Sequence, residues 1–224
     1  MKLSIIVPVL NEAMELPRLL QDLASIMERG SEVIVADGGS SDDSAAIAQR
    51  FGCTVESSPR GRARQMNAGA KRATGDALLF LHADTRLPDD AVTLVANALE
   101  NGRHAWGRFD VRIDGAGAML RLVAWMMNGR SRLTSIATGD QAIFVTRAAF
   151  DEVRGFPDQP LMEDVELSKR LRRVSPPACI TERVSTSARR WEARGVWRTI
   201  LLMWRLRFDY WRGVPPSVLA EAYR

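Results

Sequence analysis

An α/β fold, with a mainly parallel central sheet flanked by helices, is the class that this sequence predicts. Three observations point to it. Apolar, β-branched runs recur at Leu3 to Val9, Glu32 to Ala36 and Leu78 to Leu81. Continuous runs of that kind suit strands covered on both faces. Between them lie residues at helical spacing, as in Leu16, Leu19, Leu20, Leu23, Ile26 and Met27. Each apolar run ends in a polar turn, and an open α/β sheet binds ligands outside the carboxyl ends of its strands.

The elements follow in order. Leu3 to Val9 predicts the first strand, with Asn11-Glu12 at its carboxyl end. Pro17 fits the first turn of the following helix. Glu32 to Ala36 predicts a second strand that leaves through Asp37-Gly-Gly-Ser-Ser-Asp42. Two glycines there allow close backbone approach to a ligand, and Ser40, Ser41 and Asp42 are candidate caps for a helix over Ser44 to Phe51. Cys53 to Ser57 predicts a short third strand. Arg60, Arg62 and Arg64 open the next helix, where the dipole disfavours cations, so a bound anion would explain them.

Leu78 to Thr85 is the centre of the chain. Its apolar run predicts a buried strand and stops at a turn carrying His82 and Asp84. A carboxylate there is placed to hold a divalent cation, and the cation to hold a diphosphate. Further on, Asp89 to Leu99 predicts a helix, Trp106 to Ile113 a strand half exposed to solvent, and Met119 to Met127 a helix. Thr138 to Gln141 predicts a polar turn before an apolar strand at Ala142 to Val145. Glu163-Asp164 stands where a helix would start, and acidic residues in a first turn suit the helix dipole.

A chain of 224 residues, 46% of them hydrophobic, can build one sizeable core. We read residues 1–190 as one catalytic unit and residues 191–224 as a helical extension packed on it. The formal charge is +4, with arginine far in excess of lysine, which suits a phosphate-bearing ligand or an anionic membrane surface. No basic run interleaved with aromatics occurs in residues 1–180, so nucleic acid is not an expected partner. Cys53 and Cys179 lack metal-ligand spacing and suggest a reducing compartment. The first apolar stretch is cut by Pro8 and has no cleavage site after it, unlike a signal peptide. Without an apolar window of about 18 residues, no transmembrane helix is expected. These readings place the chain in the cytoplasm.

Placed on a helix, Val196 to Arg212 shows two apolar faces. Trp197, Ile200, Leu201, Trp204, Phe208 and Trp211 share one side, and Leu202, Met203, Leu206 and Tyr210 the other, with Arg198, Arg205 and Arg212 between. A surface helix needs only one such face. The second is expected to meet the inner face of the plasma membrane, since tryptophan with arginine suits the headgroup boundary, or else a second copy in a homodimer.

The motifs then become familiar as a set. Val7-Pro-Val-Leu-Asn-Glu12, Asp37 to Asp42, Asn67-Ala-Gly69, Phe80-Leu-His-Ala-Asp84 and Glu163-Asp164 occur in the order seen in family 2 glycosyltransferases. The resemblance spans residues 1–190 and is strongest to small bacterial members with Leu-His-Ala-Asp-Thr and Met-Glu-Asp-Val-Glu-Leu segments. It implies a glycosyltransferase A fold and an inverting transfer of a sugar from a nucleoside diphosphate, most often UDP, to a hydroxyl or carboxyl acceptor. The resemblance implies a divalent metal, Mn2+ or Mg2+, on Asp84. It also implies nucleotide contacts from Pro8, Asn11, Glu12, Asp37, Arg64 and His82. Asp164 matches the general base, with Glu163 beside it. Gly139, Asp140, Gln141, Arg189, Arg190 and Trp191 would form the acceptor and diphosphate side. His82 departs from the family by replacing the first Asp of the metal motif, which lowers the local negative charge. Gly38 likewise replaces the commoner second Asp of the base-binding turn.

Three other classes compete. A nucleotidyltransferase of similar architecture would carry a glycine-rich basic loop after the first strand, where this chain has Pro-Val-Leu-Asn-Glu. A non-catalytic nucleotide-sugar sensor would not need Glu163-Asp164. A nucleic-acid-binding protein would not need the four acidic residues Asp37, Asp84, Glu163 and Asp164.

Overall fold

The computed structural model describes residues 1–115 and 117–223, with the side chains of Arg190, Ala193 and Arg194 outside the described set. The first half alternates strands and helices: β1 (Leu3–Val9), α1 (Leu16–Glu28), β2 (Glu32–Asp37), α2 (Ser44–Arg50), β3 (Thr54–Ser57), α3 (Arg62–Arg72) and β4 (Ala77–Phe80). Then come β5 (Thr85–Arg86), α4 (Ala91–Glu100), β6 (Trp106–Asp114), α5 (Ala118–Thr134), a 3-10 turn (Gly139–Gln141) and β7 (Phe144–Thr146). The chain continues with α6 (Arg147–Glu152), α7 (Glu163–Leu171), β8 (Ala178–Ser187), α8 (Arg189–Arg194), α9 (Val196–Trp211) and α10 (Pro216–Tyr223).

The strands form one sheet in the order β3-β2-β1-β4-β7-β6-β8-β5. Pairing is parallel from β3 through β4 and again between β6 and β8. It is antiparallel where β7 and β5 join. The chain leaves β1 towards β2 and β3, then returns to place β4 on the other side of β1. That reversal opens a crevice at the carboxyl ends of β1 and β4.

Successive strand residues point to opposite faces, so one strand feeds two cores. Leu3, Ile5, Val7 and Val9 pack with Leu16, Leu20 and Leu23 of α1. Ile6, Ile34, Leu78 and Phe80 pack on the other face with Met66 and Ala70 of α3 and Leu167 of α7. A Cβ added at Gly69 would collide with Ile6, so the glycine lets α3 lie close on β1. Asn67 exchanges two 2.9 Å hydrogen bonds with the backbone of Phe156, pinning α3 to the loop before α7.

Several expectations change. The strand over Trp106 to Ile113 is not half exposed: β6 is buried as far as Val111, including Arg108 and Asp110. Its alternation marks an internal polar network instead of a solvent face. The helix expected over Met119 to Met127 extends over 17 residues as α5. Asp43, just before α2, makes no side-chain bond, and of Ser40, Ser41 and Asp42 only Asp42 caps the helix, accepting from the Ser44 N–H at 3.0 Å. These three residues lace the turn after β2 to the turn after β1. The short elements β5 and α6 and the long strand β8 were not expected.

The C-terminal segment packs through two apolar clusters. Trp191, Val196 and Ile200 join Leu120, Val123 and Ala124 of α5. Leu206 and Leu219 join Met162 and Val165 at the start of α7. The C-terminal segment therefore packs against α5 and against the start of α7, where Glu163-Asp164 stand.

Candidate active site

Two cavities flank the crevice. The larger, about 400 Å³, is lined by Arg62, His82, Gly139, Asp140, Glu163 and Asp164, with apolar walls from α5 and α9. The smaller, about 310 Å³, is lined by Glu15, Asp84, Arg86, Asp114, Arg189 and Glu192, among others. The His-Ala-Asp turn after β4 joins them, with His82 in one and Asp84 in the other.

At the ends of β1 and β2 the two turns hold each other. Asn11, at φ 56°, donates its backbone N–H to Ser40 Oγ (2.9 Å) and accepts from the Ser41 N–H at Oδ1 (2.8 Å). Glu12 N–H donates to Ser44 Oγ and Ala13 N–H to Asp42. Pro8 pairs in register with Ala36. Asp37 uses its carboxylate on its own turn, accepting from the backbone N–H groups of Gly39 and Ser40 and from Ser40 Oγ at 2.5 Å. Gln65 of α3 completes the frame by donating to the carbonyls of Val9 (2.6 Å) and Ala36 (2.9 Å). Its role was not legible in the sequence.

Asp84 stays at the mouth because Ser187, ending β8, donates its N–H to the Asp84 carbonyl at 3.2 Å. The same strand end delivers Arg189, whose guanidinium reaches Glu12 at 3.7 Å and Glu15 at 3.3 Å. Burial pushes the Glu12 carboxyl above its usual range against the pull of Arg189, and the Asp84 charge adds to the rise. Asp84 thus adds negative potential beside Glu12, as a cation site requires. Among the described residues no three His, Cys, Asp or Glu side chains converge as a ready ligand set. One carboxylate with substrate phosphates suits Mg2+ or Mn2+, ions bound through few protein ligands. Arg64 makes an exposed bidentate pair with Asp158 at 2.8 and 3.0 Å. Its neighbour Arg62 turns to the large cavity and lies 3.6 Å from Glu163.

The base candidate is held from two sides. Asp164 accepts from the Gly139 N–H at Oδ2 (2.9 Å) and from the Val165 N–H at Oδ1 (2.7 Å). His82 Nδ1 approaches Asp140 at 3.3 Å, while its Nε2 is buried without a partner. A Cβ at Gly139 would strike that imidazole, so a larger residue there would displace the His82 ring. Gln141 is a correction: it is fully buried and does not face the cavity. It closes a capping box with Thr138 and reaches Asn128 Oδ1 at 3.4 Å, supporting the wall from behind. Trp191 lines the large cavity, and the Arg190 side chain lies outside the described residues.

Glu163 differs from its neighbour. It is 3% exposed, and burial, with the nearby Asp164 charge, raises its carboxyl pKa, opposed by Arg62. A carboxyl whose folded pKa lies above the unfolded value of about 4.5 contributes stability below that pH. The contribution disappears as pH rises through the folded value. Glu163→Gln should therefore gain thermal stability over the wild type as pH is raised from 4.5 to 7.5. Melting curves at both pH values test this, and a gap that shrinks with pH would contradict it.

Met162 and Ala142 have φ of 64° and 45°, next to Glu163 and Gln141. Non-glycine residues in this region cost about 1–3 kcal/mol each and concentrate at functional sites. Sequence reading missed Arg130 and Arg207, which also line the large cavity. Nothing distinguished them from other helical arginines before α5 and α9 were brought together.

A family model for glycosyl transferase family 2 matches residues 4–151. The chain belongs to glycosyl transferase family 2. A PGL/p-HBAD biosynthesis glycosyltransferase of Mycobacterium bovis is 37% identical over 108 residues, covering 45% of this chain and 42% of that protein. An undecaprenyl-phosphate 4-deoxy-4-formamido-L-arabinose transferase of Klebsiella pneumoniae is 32% identical over 152 residues, covering 62% of this chain and 46% of that one. The chain thus spans less than half the length of these curated relatives. Among solved structures, S. aureus TarS 1-349 in complex with UDP-GlcNAc superposes with a TM-score of 0.67 at 17% identity, over 84% of this chain and 58% of that one. Glucosyl-3-phosphoglycerate synthase from Mycobacterium tuberculosis, in complex with Mn2+, UDP and phosphoglyceric acid, gives 0.63 at 18%, over 83% and 69%. At these identities the structural likeness establishes the shared fold, the glycosyltransferase A architecture.

Proposed function

We propose that this family 2 chain is an inverting glycosyltransferase that moves a sugar from a nucleoside diphosphate, UDP in the first instance, to an apolar acceptor. The observation that carries the reading is the pairing of two carboxylates in one crevice. Asp84 lies in the turn after β4 on one side of His82, and the hydrogen-bonded Asp164 faces the cavity on the other. Asp37, Asn11 and Glu12 border the nucleotide. A divalent cation on Asp84 supplies charge neutralisation for the departing diphosphate when bound. Arg189 stands beside it, and guanidinium is suited to phosphate oxygens. Asp164 takes the proton of the acceptor hydroxyl as that oxygen attacks the anomeric carbon from the face opposite the leaving group. A single displacement inverts the anomer.

Thermal shift with nucleotide sugars tests the donor half. A specific donor at about 100 times its Kd stabilises the fold by about 2.7 kcal/mol. We expect a UDP-sugar with Mn2+ to raise the melting temperature, and Asp84→Asn to lose the Mn2+-dependent part while melting like the wild type alone. An unchanged Mn2+ response in Asp84→Asn would remove Asp84 from the metal site.

The membrane reading rests on α5 and α9. No helix among the described residues is long and apolar enough to cross a membrane. Leu206 is buried, whereas Trp197, Leu201, Trp204, Phe208 and Trp211 of α9 are exposed. Leu122, Trp125 and Met126 of α5 are exposed too, with Trp125 at 72% and Trp211 at 80%. We infer that this apolar surface rests on the cytoplasmic membrane face, with Arg198 and Arg212 near the headgroups. The chain should co-sediment with anionic vesicles in a salt-sensitive way. Burying one aromatic side chain contributes about 1.5–3 kcal/mol, so Trp125→Ala with Trp211→Ala should weaken partitioning more than tenfold. A concentration-dependent dimer indifferent to vesicles would assign the face to a second copy.

A further inference from the structure

The larger cavity carries two positive charges that the donor and base chemistry leaves unused. Arg130 comes from α5 and Arg207 from α9, and both line the cavity. The other arginines near the crevice have carboxylate partners: Arg62 has Glu163, Arg189 has Glu12 and Glu15, and Arg108 has Asp110. Among the described residues, no carboxylate lies within ion-pair distance of Arg130 or Arg207. Arg130 Nη2 is buried with no hydrogen-bond partner. Arg130 and Arg207 are each half-buried, but a buried guanidinium nitrogen without a partner is costly, and a bound anion would relieve that cost. Burial pushes the Arg130 pKa down to about 10, and the charges of Arg207 and Arg108 add to the fall. Burial lowers that of Arg207 as well. Both side chains feel the Asp164 charge, which places them towards the base.

The remaining wall is apolar, with Val123, Met127 and Met203 inside and Met126 and Trp204 at the exposed rim. We propose that this cavity seats an amphiphilic acid, with its carboxylate or phosphate anchored between Arg130 and Arg207 and its hydrocarbon part along α5 and α9. Calling this ligand the acceptor rests on the glycosyl-transfer reading, whereas the binding site itself does not.

The test is binding without turnover. Decanoate, decyl phosphate, decanol and inorganic phosphate are titrated below their micelle concentrations, with tryptophan fluorescence as readout. Trp191 and Trp204 line the cavity and report on it. Charge-assisted hydrogen bonds predict that the two acids bind at least about tenfold tighter than decanol. Inorganic phosphate should bind at least about tenfold weaker than decyl phosphate, because it lacks the apolar part. Arg130→Met and Arg207→Met should each erase most of the preference for acid over alcohol, and Arg130→Lys should restore part of it. Arg130→Met should also melt no lower than the wild type, since it removes an unpaired charge. Equal affinity for decanol and decanoate would overturn the assignment, as would phosphate binding as tight as decyl phosphate. Titration with UDP and Mn2+ separates the two claims. If UDP fails to bind while the acid preference persists, the donor reading falls and the cavity assignment stands.

Discussion

Turnover of the Asp164→Asn variant is expected to fall by about 10²–10⁴, with UDP affinity within twofold of the wild type. That range is the usual loss when general-base help is removed. The substitution isolates the proton-accepting role. An asparagine Oδ1 can still receive the Gly139 N–H that Asp164 receives at 2.9 Å, so the 3-10 turn keeps its anchor. What disappears is the charge that, in the proposed mechanism, takes the acceptor's proton. The proposed nucleotide contacts lie on other elements, the ends of β1 and β2, so UDP affinity is expected to be spared. Single-turnover rates with saturating UDP-sugar, alongside UDP titration, separate the effects. Equal losses in binding and turnover would make Asp164 a donor ligand or a structural residue. A product that retains the donor's anomeric configuration would exclude single displacement.

Asp110→Ala is expected to give the largest loss of stability in the chain. Arg108 is fully buried in β6, and its Nη1 pairs with Asp110 Oδ1. Arg132 of α5 reaches the other oxygen of Asp110 at 2.7 Å. Asn128 closes the group by bridging the N–H and C=O of Val111 at 2.9 and 3.0 Å. Removing one member of a buried ion pair leaves an uncompensated charge and costs about 3–5 kcal/mol. For a chain of this size each kcal/mol shifts the melting temperature by about 2–4 °C, which predicts a fall of about 10 °C. Because Asn128 and Arg132 belong to α5, the apolar wall of the large cavity should loosen with it. Replacing the pair together, as Arg108→Met with Asp110→Leu, should recover most of the loss, since apolar groups of similar volume need no partner. A single Asp110→Ala within 1 °C of the wild type would mean that water already satisfies Arg108.

The sequence by itself determined the strand and helix alternation of the first half, because its signals are local. β-branched runs and leucines at helical spacing placed β1, α1 and β2 to within two residues. It also determined that α9 has two apolar faces, since the 3.6-residue period needs no tertiary information. The carboxylates at Asp37, Asp84 and Glu163-Asp164 could be named from residue type and position after an apolar run. Tertiary structure decided what lies opposite them. β8 pairs with β5 across 100 residues of chain, and only that pairing brings Arg189 to Glu12. The alternation of β6 looked like a solvent face because periodicity cannot tell water from a buried counter-ion. Arg108 and Asp110 resolve it only when α5 supplies Arg132 and Asn128. Gln141 looked like a site residue beside Asp140, yet a turn sends adjacent side chains to opposite sides of a wall. Arg130 and Arg207 carry no sequence signal, for each is one more arginine on a helix until two helices 77 positions apart enclose the same cavity.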